Sequence, residues 1–176
     1  TEPALLDFSK LPKEQWGVGF IGPWEPRKNP EAYVMALKKA KLPGVVLVPS
    51  ETSAKKFETK FKEAGVEYKI HVAVTGEEKT KIIQSMAAAY HPAVSETFGL
   101  GALETAHACP TILLAKNEWS HAHQEYASIV EEQDVVSTLT NLYGKGVSTD
   151  IQQKLMAREQ LARKTLREIV QREQNT

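Results

Sequence analysis

Apolar positions along this chain fall into two patterns. Short runs of consecutive apolar residues alternate with longer stretches where apolar residues recur every three or four positions. The runs at 16–22, 45–48, 68–74, 88–91, 111–115 and 129–130 predict buried strands. The stretches between them predict helices. The first opens at Asn29-Pro30-Glu31, where Asn can cap free N–H groups and Pro at the first helical position loses no useful bond. Tyr33, Val34, Leu37 and Ala40 form its apolar face, and Pro43-Gly44 ends it. The second runs from Ser50 to Ala64, with Phe57 and Phe61 four apart and Gly65 as the closing residue. Thr75-Gly76-Glu77-Glu78 fits a capping box, which predicts a helix to about Met86. Further helices are expected over 99–108, 118–127 and 134–143, and a long amphipathic one over 149–172.

Strands alternating with helices imply βαβ units. The fold class expected is therefore α/β: a Rossmann-like parallel sheet with helices on both faces. Residues 1–15, with two prolines by position 12 and no clean period, read as a linker or tether. Residues 16–148 read as the domain, and 149–176 as a C-terminal amphipathic helix. Sheets of this kind bind ligands beyond the carboxyl ends of their strands. The loops after strands one and four are thus where chemistry is expected.

Composition narrows the class. The 176 residues are 41% hydrophobic and 25% charged, ordinary for a globular domain with a real core. Lys+Arg and Asp+Glu both total 22, and this neutrality gives no support to a dedicated nucleic-acid binder. The single cysteine, Cys109, excludes an intrachain disulfide and a Cys-rich metal site, and reads as a buried, inert thiol. A reducing, cytoplasmic compartment fits. No run approaches the roughly 20 apolar residues of a membrane span. The chain opens on Thr1 rather than Met, which reads as part of a longer protein, with processing of a short leader as the alternative.

The segment from His91 to Glu104 concentrates the candidate chemistry. A strand ends near His91, a loop carries Glu96, and Gly99 and Gly101 flank Leu100 where a helix begins. Unpaired N–H groups at a helix start suit a diphosphate, and the two glycines leave its approach unblocked. Glu96 and Glu104 flank that point. Carboxylates accept hydrogen bonds from hydroxyls, so the pair suits a sugar on one side and a ribose on the other.

Pro92-Ala93-Val94-Ser95-Glu96-Thr97-Phe98-Gly99-Leu100, followed by Leu103-Glu104, resembles the signature of retaining glycosyltransferases of the GT-B fold. The likeness is to the large "group 1", family-four-like class, whose pattern is Glu, seven residues, Glu. The resemblance implies one half of a GT-B fold, namely its nucleotide-sugar-binding domain. It implies that Glu96 holds a donor-sugar hydroxyl and Glu104 the ribose, while Phe98, Gly99 and Leu100 line sugar and phosphate. It also implies a nucleoside-diphosphate sugar as donor, commonly UDP-linked, with no required metal and no cofactor. The acceptor site would lie in an N-terminal domain outside this chain.

Four departures, two in each loop, bear on the site. Ala93 and Thr97 stand where the class has Ser and Gly, and Thr97 adds a side chain near the donor sugar. In the first loop the class has Gly-Arg, a spacer, then Lys-Gly. Here Gly22 and Lys28 match, Asn29 replaces the second Gly, and Pro23 replaces the Arg, with Arg27 as a neighbouring cation. Lys28 and Arg27 are the residues expected to neutralise the leaving diphosphate.

Two alternatives stand beside this reading: a non-catalytic nucleotide-sugar-binding module, and a sugar-nucleotide epimerase half-domain whose acid and base residues we do not locate. A narrower branch of the resemblance glycosylates modified bases in phage DNA, and the neutral charge gives a DNA acceptor no support. His121 and His123 invite a metal, but an i, i+2 pair on a helix points its rings about 200° apart, which suits joint ligation poorly. His91 reads as a core residue that abuts the donor loop. Trp24 reads either as a shield over the site or as packing.

Overall fold

The computed structural model describes residues 11–12 and 14–175, so most of the expected tether lies outside the described residues. Six strands form one parallel sheet in the order β3-β2-β1-β4-β5-β6. They are β1 (Val18–Ile21), β2 (Gly44–Val48), β3 (Tyr68–Val72), β4 (Ala88–His91), β5 (Thr111–Leu114) and β6 (Ser128–Val130). The helices are α1 (Pro30–Ala40), α2 (Glu51–Ala64), α3 (Gly76–Gln84), α4 (Leu100–Ala106), α5 (Val135–Leu142) and α6 (Thr149–Gln174). The fold class is the one read from the sequence, and all six strands lie where the apolar runs put them.

Alternation along the strands divides the core between two faces. Val18 and Phe20 of β1, Val46 and Val48 of β2, and Ile112 and Leu114 of β5 join Tyr33, Leu37, Phe57, Phe61 and Leu139 from α1, α2 and α5. Their neighbours Val45, Leu47 and Ala89 face the other way, onto Ile83, Met86 and Cys109. Phe20, Tyr33, Phe57 and Phe61 form a chain of ring contacts at 5.0–6.4 Å. The strand order reverses between β1 and β4, which leaves a crevice at their carboxyl ends.

Several local expectations are corrected. Thr75 makes no side-chain cap bond, and α3 begins at Gly76 with φ +60° and stops at Gln84. The expected helix over 99–108 is only the seven residues of α4. Residues expected as a helix at 118–127 instead form a 3-10 turn, Glu118–His123, because Ser120 turns its hydroxyl back onto the Leu114 and Asn117 carbonyls. Ser50 and Gly65 do cap α2 as read. At the edge of the expected tether, Gln15 donates to the carbonyls of Gln84 and Ala108, at 2.9 and 3.0 Å. Among the described residues no helix is long and apolar enough to cross a membrane.

Candidate functional site

The β1–α1 loop carries the first half of the site. Gly22 has φ +147°, a region open chiefly to glycine, and its N–H donates to the Leu47 carbonyl at 2.9 Å. The chain then makes a 3-10 turn, Pro26–Lys28, with Asn29 left-handed at φ 53°. Asn29 therefore does not cap α1 with its side chain. Its Nδ2 donates across to the Pro92 carbonyl at 3.4 Å, in the loop after β4. Lys28 is directed back over Gly22, with its aliphatic stem 3.5 Å from where a Cβ would stand.

The β4–α4 loop carries the second half, and the two loops are tied together. The Val94 N–H donates to the Arg27 carbonyl at 2.7 Å. Lys28 Nζ donates to Glu96 Oε1, with both side chains mostly buried. Two residues 68 apart in sequence thus meet at the strand-order reversal. Arg27 contributes its backbone alone, since its exposed guanidinium pairs with Glu25 at 3.3 Å. Thr97, Phe98 and Leu100 project outward, with Phe98 75% exposed. An exposed phenylalanine beside a buried ion pair is apolar surface available to a ligand or a neighbouring domain.

Gly99 turns the chain into α4 with φ +63°. A Cβ there would collide with His123 Nε2, and one at Gly101 would face Ile21 and His91 at 3.5 and 3.7 Å. Both missing side chains would therefore point into the protein. This corrects the expectation that these glycines clear a ligand's approach: Gly99 permits the turn and close packing beneath it. Leu100, Gly101 and Ala102 open a helix, where the first N–H groups lack intrahelical acceptors.

Glu104 lies on α4 and makes a separate pair, with Lys79 of α3 at 3.0 Å. Its side chain is about a third exposed, against 17% for Glu96. The two carboxylates are neither buried in the core nor joined to one another; each pairs with its own lysine, Lys28 of the β1–α1 loop for Glu96 and Lys79 of α3 for Glu104.

Beneath the loop lies a buried polar chain. His91 at the end of β4 contacts Thr105 Oγ1 through Nε2 at 2.9 Å, and Thr105 contacts Thr111 Oγ1 at 2.9 Å. Burial, reinforced by the charges of Lys28 and His123, lowers His91 to about 3. A ring neutral at physiological pH fits a core residue that feels the Lys28 ammonium. Burial, helped by Arg158 and opposed by Glu96, also lowers His123. His121 Nε2 contacts the Ala115 carbonyl while His123 Nδ1 contacts Tyr126 Oη, so the two rings have separate partners. Among the described residues no group of three or more His, Cys, Asp or Glu side chains could hold a metal. Cys109 is buried, and burial pushes its thiol up, away from reactivity. Trp24 packs edge-on against Phe57, centroids 4.7 Å apart, and lines the clefts along α1 and α2.

The sequence reading passed over Asn117 and Trp119 and weighed His123 only as a metal ligand. Asn117, Trp119 and His123 all touch the backbone of the loop that bears Glu96. The one available signal was their place directly after β5, at the same sheet edge. Reading 118–127 as a regular helix hid it.

No family model and no curated protein matches this sequence. Solved structures do resemble it. AviGT4, a glycosyltransferase involved in avilamycin A biosynthesis, is 14% identical with a TM-score of 0.62, over 82% of this chain and 46% of that one. The pneumococcal O-GlcNAc transferase GtfA, solved with UDP and GlcNAc, is 13% identical with a TM-score of 0.60, over 96% of this chain and 38% of that one. The C-terminal domain of the group 1 glycosyl transferase LpcC from Francisella tularensis is 21% identical with a TM-score of 0.55, over 74% and 76%. The fold is therefore that of a GT-B glycosyltransferase's C-terminal domain. The chain spans less than half the length of AviGT4.

Proposed function

We propose that this chain is the donor-binding domain of a retaining glycosyltransferase and holds a nucleoside-diphosphate sugar, UDP-linked, at the carboxyl edge of its sheet. The observation that carries the reading is the Lys28–Glu96 pair at the reversal of strand order. Lys28 supplies a cation for the diphosphate. Glu96 supplies an acceptor for donor-sugar hydroxyls, beside the backbone of Phe98, Gly99 and Leu100. Glu104, within α4, takes the ribose hydroxyls.

The chemistry follows from that division. The bond between the sugar's anomeric carbon and the β-phosphate oxygen breaks, and the oxygen keeps the electron pair. Lys28 and the opening N–H groups of α4 stabilise the charge that develops there, which lowers the barrier because they are already oriented. The oxygen of the acceptor hydroxyl forms the new bond to the anomeric carbon, and its proton passes to the departing phosphate oxygen, so the diphosphate leaves carrying it. Acceptor binding falls to an N-terminal domain, so the isolated chain is expected to bind donor without turnover. A solved complex of GtfA contains UDP, which supports UDP as the nucleotide here. No metal or cofactor enters the scheme.

A binding module without catalysis is the second reading. Pro23 occupies the place of one expected cation, and Arg27 turns its guanidinium to Glu25. Calorimetry of the full chain with UDP separates donor binding from its absence. Binding by the wild type and its loss in Glu104→Ala supports the donor site; no heat with the wild type removes it. Transfer by the chain joined to its acceptor domain then divides enzyme from module.

A further inference from the structure

We propose that Trp119 and His123, on the 3-10 turn after β5, are positioning residues that hold both ends of the loop bearing Glu96. The proposal rests on the donor-site reading of that loop. It concerns neither the two-glutamate pattern nor the phosphate lysine.

At the start of the loop, the Trp119 indole N–H donates to the Ala93 carbonyl at 2.7 Å. The adjacent Pro92 carbonyl accepts from Asn117 Nδ2, at 3.4 Å, and from Asn29. At the far end, His123 Nε2 lies against the α-carbon side of Gly99, with the Trp119 ring edge beside it. Between these anchors Val94, Ser95, Thr97 and Phe98 are exposed, and Glu96 reaches Lys28. The turn is fixed from below. Ser120 binds it to β5, and His123 is held through Nδ1 by Tyr126, with their rings 5.4 Å apart and nearly perpendicular.

This arrangement differs from ordinary packing. A directed N–H bond fixes one carbonyl, and a ring fills the space a side chain at Gly99 would take. Loop ends held at two points leave the middle few conformations, so Glu96 does not pay to be ordered when a sugar arrives. Trp119 and His123 act through the loop backbone and touch no substrate themselves.

The test uses the full chain, hydrogen exchange, and calorimetry with UDP-glucose and UDP. Trp119→Phe keeps the ring and removes the N–H donor. The amides of residues 93–100 are expected to exchange about tenfold faster, the net contribution of one hydrogen bond. Protection in β4 and β5 stays unchanged. Affinity for UDP-glucose falls about tenfold more than affinity for UDP, because Glu96 contacts the sugar alone. His123→Ala repeats the pattern from the other anchor. Unchanged loop exchange, or equal losses for both ligands, overturns the proposal. Wild-type protein that binds neither ligand overturns the donor-site reading beneath it, and that result needs no variant.

Discussion

Lys28 and Glu96 are each other's counter-ion across two loops, with side chains only 14% and 17% exposed. Neither charge is fully hydrated, so each relies on the other. Removing one partner leaves a mostly buried charge uncompensated, which costs more than the pair itself contributes. On the proposed donor-site reading, a diphosphate would compete with Glu96 for the ammonium, and a sugar hydroxyl would then give Glu96 a new partner. The Lys28–Glu96 pair is neutral as a unit, so on that reading donor binding would exchange one set of charge-assisted bonds for another.

Glu96→Gln separates these two roles. The amide keeps the size of the side chain and removes the charge that occupies Lys28. UDP alone is expected to bind as tightly as in the wild type or up to about tenfold tighter, since Lys28 is freed for phosphate. A UDP sugar is expected to bind about tenfold more weakly, for loss of a charged acceptor to the sugar hydroxyls. Calorimetry with both ligands reads the crossing directly. A parallel change for the two ligands would contradict the assignment of Glu96 to the sugar.

Gly99→Ala tests the turn into α4. The backbone there is left-handed at φ +63°, and the added methyl meets the His123 ring. The strained conformation alone costs on the order of 1–3 kcal/mol. Urea unfolding is expected to show a loss of at least that size, with donor binding lost at the same time. Gly144→Ala is the control: its φ is +75°, yet nothing lies within 4 Å of the new Cβ, so only the backbone cost remains and donor binding survives.

The fold was readable because its evidence is local and periodic. Val45-Val46-Leu47-Val48 and Thr111-Ile112-Leu113-Leu114 are buried on both faces and show as continuous apolar runs. Ser50 and Gly65 mark both ends of α2. Glu96 and Lys28 could be picked out because they fall at matching places in the glycosyltransferase signature that the chain resembles, Glu96 in the spacing of Glu, seven residues, Glu, and Lys28 after Gly22 in the first loop. The loop's supports were hidden, since nothing in Trp119 announces a bond to Ala93, 26 residues away. The same holds for Asn29, where a residue suited to capping turned left-handed and used its amide across the crevice. Tertiary partners decided these positions against local preference.

His91 makes stability depend on pH. Its folded value, about 3, lies below the usual histidine value near 6.5, so the unfolded chain binds the proton first. Stability is therefore whole above about 6.5 and is lost as pH falls toward 3, at about 1.4 kcal/mol per pH unit within that window. His71, His107 and His123 are also lowered and add in the same direction. Urea midpoints at pH 7 and pH 5 should show this loss in the wild type. His91→Asn, which can still bond to Thr105, should show a smaller one. An equal slope in both proteins would assign the acid sensitivity elsewhere.

The C-terminal helix divides into a docked part and a projecting part. Leu155 is 1% exposed and packs with Ala106 of α4 and Tyr126, which also lies under Arg158 at 5.7 Å. Eleven positions further on, Leu166 is 57% exposed. Leu155→Ala is expected to cost about 2–5 kcal/mol, the range for emptying a buried leucine site. Because Tyr126 holds His123, it should also loosen the Gly99 turn and weaken donor binding. Leu166→Ala is expected to stay within about 0.5 kcal/mol of the wild type. Denaturant unfolding of the three proteins, with UDP-glucose calorimetry on each, checks both claims. A Leu155→Ala protein that unfolds earlier yet binds UDP-glucose as tightly as the wild type would break the link from α6 to the loop.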